Sequence, residues 1–148
     1  MKKLILLLMF CLLLFTVRSI SQVKAIPGNV SKAFIAKYPM ATQISWLNTS
    51  DFYAARFYIK GEPCTAKFSK NGVWMDETQK ISYGELGNSV KNGFIQSKFS
   101  SWRAREVNSI REKDKEIEYR ILILNSNQEK RYIYFDAKGQ MKKEEMTL

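Results

Sequence analysis

One chain pattern occurs here twice, and that repetition limits the fold more than any other feature of the sequence. Ile26, Val30, Phe34 and Ile35 recur sixty residues later as Leu86, Val90, Phe94 and Ile95. Lys37-Tyr38-Pro39 returns as Lys98-Phe99-Ser100, and Tyr53, Ala55 and Phe57 return as Tyr119, Ile121 and Ile123. Phe68-Ser69-Lys70-Asn71-Gly72 is matched by Phe135-Asp136-Ala137-Lys138-Gly139. The order of the blocks is kept and only short insertions move the offset, as a duplicated unit requires.

Each copy predicts the same elements. Val30, Phe34 and Tyr38 fall at i, i+4 and i+8, the spacing of an amphipathic helix. Pro27 sits near its start, where a missing N–H costs little, and Pro39 ends it. The second copy has Gly87 and Ser100 at those places, and Gly93 where the first has Ala33. Its helix is therefore less firmly punctuated, and Gly93 costs about 1 kcal/mol of helix propensity. Strands follow each helix. Phe52 to Lys60 alternates, with Tyr53, Ala55, Phe57 and Ile59 on one face. Glu62 to Ser69, and then Val73 to Glu77 after a Lys70-Asn71-Gly72 turn, complete the first unit. Glu116 to Leu124 and Lys130 to Asp136 are the matching central strands of the second. The expected fold class is α+β: two tandem repeats, each one helix packed on a four-stranded antiparallel meander. The units are placed at residues 26–79 and 80–148. A unit of about sixty residues is marginal alone, so the two should share a core or a sheet.

The residues before Ile26 read as a separate segment. Met1-Lys2-Lys3 is basic, Leu4 to Phe15 is uncharged and apolar, and Thr16 to Ala25 turns polar. That is the order of a secretory signal peptide, 1–25, with cleavage after Ala25 or after Ser21. Its apolar stretch rises about 18 Å, too short for a hydrocarbon core of about 30 Å. Lys2, Lys3, Arg18 and Lys24 lie in it and no acid does, so its removal lowers the net charge from +10 to +6. Cys11 leaves with it, and Cys64 remains without a partner for an intramolecular disulfide.

The first copy carries the run Ile-Pro-x2-Val-x3-Phe-x3-Tyr-Pro-x-Ala from Ile26 to Ala41, then Trp46, Tyr-x-Ala-x-Phe at Tyr53 to Phe57, and Phe-x3-Gly-x-Trp at Phe68 to Trp74. In these residues the chain resembles the secreted PepSY-like family, also called β-lactamase-inhibitor-like. Such proteins are small exported proteins of Bacteroidetes-type bacteria with tandem PepSY-like units. The likeness spans the chain from Ile26 onward and departs from the pattern at Gly87, Ser100 and Arg111 to Arg120. Its motif residues are core and turn residues, so it speaks to fold more than to function. What it implies is non-catalytic binding in the periplasm or outside the cell, with inhibition of a peptidase or another enzyme as one form.

The chemistry-bearing residues agree with a non-enzyme. The chain has no His, which excludes a Ser-His-Asp triad, a Cys-His pair and imidazole ligands. Two Cys cannot build a four-cysteine zinc site. Asp76-Glu77, Glu116 with Glu118, and Glu144-Glu145 are expected to be solvated surface carboxylates rather than an acid–base pair. Cys64 shares a strand face with Ala66 and Phe68 and is expected in the core as a small hydrophobe. Arg111 to Glu118 mixes charge signs as a soluble hairpin does, and no clustered basic face calls for nucleic acid. No cofactor and no metal are expected. Asn29-Val-Ser31 and Asn48-Thr-Ser50 fit the glycosylation pattern of a eukaryotic secretory pathway, which the resemblance disfavours.

The strand faces turned away from the helices hold the candidate site. In the first unit that set includes Arg56, Tyr58 and Lys67, and in the second Arg120, Leu122, Leu124, Tyr132 and Tyr134. A solvated strand face is normally polar, and tyrosine with arginine is the composition of binding hot spots. Two readings of the face stand: a site for a protein partner in the cell envelope or outside the cell, or a face covered by the first unit or by a second copy.

Overall fold

The structure, a computed structural model, describes residues 25–147; the expected signal peptide lies almost wholly outside them. Helix α1 (Gly28–Lys37) is followed by β1 (Thr42–Asn48), β2 (Phe52–Ile59), β3 (Glu62–Ser69) and β4 (Trp74–Ile81). A short 3-10 turn (Tyr83–Glu85) leads to α2 (Asn88–Gln96). Then come β5 (Arg103–Glu112), β6 (Glu118–Leu124), β7 (Lys130–Asp136) and β8 (Met141–Met146). All eight strands form one antiparallel sheet in chain order. The two four-stranded meanders were expected to share a core or a sheet, and it is the sheet they share: β4 pairs with β5 from Asp76–Glu112 through Ile81–Val107, and the sheet runs on without a break. β4 thus continues past residue 79, where the first unit was expected to end.

Helix α1 starts at Pro27, whose carbonyl accepts from Ser31 N–H at 3.0 Å, and it ends before Pro39 as expected. The β2–β3 turn is a two-residue hairpin with Lys60 and Gly61 both at positive φ. At the β3–β4 turn the positive φ falls on Gly72 alone, and Gly139 repeats it between β7 and β8. Ser69 and Asp136 close these two turns with the same pair of backbone hydrogen bonds.

Both helices lie on one face of the sheet. Val30 and Phe34 of α1 pack on Tyr53, Ala55, Phe57, Cys64, Ala66 and Phe68. The Phe34 ring meets those of Phe57 and Trp46 edge-on at 5.0 and 5.2 Å. Val90 and Phe94 of α2 pack on Val107, Ile121, Ile123, Ile133 and Phe135. The sheet is therefore continuous while the apolar core is two clusters, one rich in aromatic rings and one in isoleucine. Between them, on the helix side, the β4–β5 seam carries Glu77 opposite Arg111 and Gln79 opposite Ser109. Glu77 and Ser109 are buried in this seam, and Tyr38 at the end of α1 reaches into it, so the two apolar clusters are separated by a partly enclosed polar strip. Among the described residues, no helix is long and apolar enough to cross a membrane.

Candidate functional site

Strand register places all eight candidate residues on the sheet face opposite the helices. Tyr53 and Phe68 are core partners, so the intervening pairs Ala54–Lys67 and Arg56–Thr65 point the other way. The same phase holds for Arg120 opposite Tyr134 and Leu122 opposite Tyr132, since Ile121 and Ile133 between them are core. The set is not one patch. β2 and β6 are four strand spacings apart, roughly 19 Å, and the side chains of β4 and β5 lie between.

In the first half Arg56 is exposed and Tyr58 is 37% exposed. Lys67 is half-buried and its ammonium donates to Asp76 Oδ2 at 3.1 Å. In the second half Arg120, Leu122 and Tyr132 are half-buried, and the Arg120 guanidinium lies 4.8 Å from the Tyr132 ring centre. Leu124 and Tyr134 are buried, contrary to expectation. Neighbouring side chains of the same sheet provide the cover. Tyr134 OH donates to Glu145 Oε2 at 2.7 Å, and Lys143 Nζ sits 4.1 Å from its ring centre. Burial, then Glu145, pushes the Tyr134 phenol above its ordinary range. Tyr134 and Lys143 in turn hold the Glu145 carboxyl below the usual carboxylate range. The first half cannot cover the second, because it extends the same sheet edge to edge.

The helix side holds a second constellation that the sequence reading placed at the surface. Glu77 is 7% exposed, not solvated. Tyr38 OH donates to its Oε2 and Arg111 Nη1 to its Oε1, both at 2.6 Å. Trp74 Nε1 donates to the Tyr38 hydroxyl at 2.8 Å. Burial and the neighbouring carboxylate push the Tyr38 phenol far above its ordinary range. Glu77 alternates in phase with Ala66 of the core, and only the polar seam lets a carboxylate stand there. With both its oxygens occupied by protein donors, this cluster ties α1 to β4 and β5; it offers no free acid or base. Arg111, expected in a hairpin loop, is in β5 and part of the tie. Asp76, also expected at the surface, is mostly covered by its pairing with Lys67. Glu144 on β8 repeats the Glu77 position and is held by Lys98 at 2.8 Å and Arg131 at 3.2 Å, which keep its carboxyl low.

Cys64 is buried, and burial raises its thiol above the ordinary range. Among the described residues, no group of three Cys, Asp or Glu side chains is placed to hold a metal ion. Two open concavities of about 380 and 370 Å³ flank the β6–β7 loop. Arg103, Arg105 and Lys130 at that end of the open face were missed in the sequence. β5 has no clear alternation of apolar with polar residues, so the local sequence does not set the faces on which Arg103 and Arg105 stand.

No family model and no curated protein matches the chain. Solved structures do share its fold. A proposed periplasmic protein of Bacteroides eggerthii is 24% identical, with a TM-score of 0.76 over 82% of this chain and 89% of its own. A DUF2874 family protein of Bacteroides ovatus is 22% identical, with a TM-score of 0.76 over 82% and 88%. A BLIP-like protein of Bacteroides fragilis is 21% identical, with a TM-score of 0.75 over 83% and 87%. At these identities the likeness is one of fold.

Proposed function

We propose that this is an exported, non-catalytic binding protein that engages a protein partner through the sheet face opposite its helices. The observation that carries the reading is the state of that face. Among the described residues no helix covers it, and it presents Tyr58 and Arg56 in one half and Leu122, Tyr132 and Arg120 in the other. Export to the periplasm or beyond is supported by the signal-like segment 1–25 and by the proposed periplasmic location of the Bacteroides eggerthii protein. The BLIP-like neighbour supports inhibition of an envelope or secreted enzyme, such as a peptidase, as the form that binding takes. The doubled helix-and-four-strand order supports descent by tandem duplication of a PepSY-like unit, with the boundary near residue 80. The test is a crosslinking capture from the native envelope with wild type and with an Arg56→Ala, Tyr58→Ala, Tyr132→Ala variant. Tyr134 is left intact because it is packed. A partner recovered by wild type and lost by the folded variant supports the reading; equal recovery by both removes it.

A second reading, a self-associating envelope protein, rests on the contrast between the two sheet edges. β8 shows Lys142, Lys143, Glu144 and Glu145, a charged edge that resists pairing. β1 has no charged residue and exposes Ile44 and Leu47, 45% and 48%. A sedimentation profile that stays monomeric at high concentration would exclude this reading.

A further inference from the structure

The open face ends, beside the β6–β7 loop, in a group of cations around an apolar floor. Arg103 on β5, Leu124 on β6 and Lys130 on β7 are direct neighbours across the sheet. Arg105 is the extra residue of the β5 bulge between Ala104 and Glu106. It lines a concavity of about 270 Å³ together with Leu122, Leu124, Gln128 and Lys130. Arg103, Arg105 and Lys130 are exposed, and among the described residues none of them is in an ion pair. Two carboxylates lie nearby, Glu106 accepting from Asn108 at 2.8 Å and Glu129 accepting from Asn125; these bonds do not cancel their charge, but neither is within ion-pair distance of the three cations. Some cations elsewhere on the sheet are paired, Lys67 with Asp76, Lys142 with Asp136 and Lys143 with Glu145, while among the described residues Arg56 and Lys80 stand singly. What sets this end apart is that three such cations lie together around adjoining concavities that share Leu124 and Gln128. Three exposed cations clustered in this way set up a local positive potential that attracts an anionic partner.

We infer that this end of the face binds an acidic segment of a partner protein, seating an apolar side chain on Leu122 and Leu124 between carboxylates held by Arg103, Arg105 and Lys130. The inference rests on the binding role proposed above and adds where on the face the partner is held and by what chemistry. The layout favours a peptide over a single phosphate. Arg103 and Lys130 stand on strands either side of Leu124, roughly 10 Å apart in backbone. An extended chain covers that distance in three residues. Two acidic residues three positions apart, with apolar residues between, match both the charges and the floor. Arginine gives a carboxylate two parallel hydrogen bonds, which fixes orientation as well as charge.

The probe is an acetylated and amidated Asp-Leu-Leu-Glu peptide, titrated into the isotopically labelled protein and followed by amide chemical shifts. Shifts are expected to concentrate at 103–106 and 120–132. Affinity is expected to fall at least tenfold in an Arg103→Glu, Arg105→Glu, Lys130→Glu variant and at least tenfold for the Asn-Leu-Leu-Gln peptide. These are exposed positions, and circular dichroism verifies that the variant folds. Shifts elsewhere, equal binding of the amide peptide, or indifference to the charge reversal would overturn the inference. So would charge-dependent binding to phosphatidylglycerol vesicles without binding to the peptide. Envelope capture separates the two levels. If the charge-reversed protein keeps a partner that the Arg56, Tyr58, Tyr132 variant loses, the face binds a partner but not through these cations. If the peptide binds here and no capture depends on the face, the binding role fails and the local chemistry stands.

Discussion

A methyl group on Gly93 would stand 2.0 Å from the carbonyl oxygen of Gly139, and one on Gly139 would stand 2.1 Å from that of Ser89. The sequence shows Gly93 only as a poor helix residue; the structure gives the reason for it. Helix α2 rests backbone to backbone on the β7–β8 turn, and no Cβ fits between. In the first half Ala33 fills the matching place, and the turn at Gly72 leaves more room: a methyl group there would stand 3.0 Å from Asn29 O. Substituting Gly93→Ala sets two effects against each other. Helix propensity gains about 1 kcal/mol. The clash is with backbone, which cannot swing aside, and overpacking of that kind costs about 1–3 kcal/mol. Sterics win, because 2.0 Å is far inside contact distance. Gly93→Ala is expected to lower stability by about 1–2 kcal/mol in urea unfolding. Gly28→Ala, in α1 with nothing within 4 Å, is expected to be neutral or mildly stabilising. Equal gains in both variants would refute the close-packing account.

At the scale of elements, the seam between the two cores depends on the Tyr38–Glu77–Arg111 tie. Tyr38→Phe keeps the ring in its cluster with Phe34 and Phe57 and removes only the hydroxyl. It leaves Glu77 Oε2 and Trp74 Nε1 each short of a partner. The expected loss is about 1–3 kcal/mol, read as a lower urea midpoint. Arg111→Ala is expected to cost less, about 1 kcal/mol or below, because the Arg111 side chain is 52% exposed and water screens the pair. If Arg111→Ala costs more than Tyr38→Phe, the ordering of buried hydroxyl over exposed guanidinium is wrong. The same seam explains what could be read in the sequence. β2, β3, β6 and β7 were legible because each lies under a helix and sets a regular series of apolar residues toward it, Tyr53, Ala55 and Phe57 in β2 and Tyr119, Ile121 and Ile123 in β6. β4 and β5 cross the seam between the two cores, where Glu77, Gln79, Ser109 and Arg111 occupy the helix side. Their alternation is polar on both faces, so β5 read as a charged hairpin and Glu77 as surface. The candidate face was legible in phase and not in exposure. Whether Tyr134 is open or covered depends on Glu145 and Lys143 of β8, a neighbour the local pattern does not name.

Across the whole molecule, two cores share one sheet, and their titrating groups divide between the halves. Asp136, Glu144 and Glu145 all lie in the β7–β8 hairpin and all have carboxyls held below the ordinary range, by backbone N–H groups, Lys98, and Tyr134 with Lys143 respectively. A carboxyl with a depressed folded pKa contributes stability above its unfolded value, about 4, and loses it as pH falls through the folded value. Acid should therefore weaken the C-terminal hairpin first. Tyr38 in the first half and Tyr134 in the second shift the opposite way: burial and a neighbouring carboxylate raise both phenols. In the unfolded chain they ionise near pH 10, while the folded chain keeps their protons. Their contribution is full below about pH 10 and is lost as pH rises toward the folded values. Tyr38 is the more strongly shifted, so the alkaline limb should belong mainly to the first half. The buried Cys64 thiol, raised in the same way, adds a loss that begins above its unfolded value of about 8.5, so the expected stability profile is a plateau from about pH 5 to 8 with a fall on each side. Thermal unfolding between pH 8 and 11 tests the alkaline side. Wild type should lose melting temperature above pH 10, and Tyr38→Phe, though less stable at pH 8, should lose less over the same interval. Tyr134→Phe should flatten the limb by a smaller amount. Hydrogen exchange below pH 4 tests the acid side, where β8 amides should lose protection before those of β2 and β3. Parallel alkaline limbs in wild type and Tyr38→Phe would mean that the buried phenol is not what links the first half to pH.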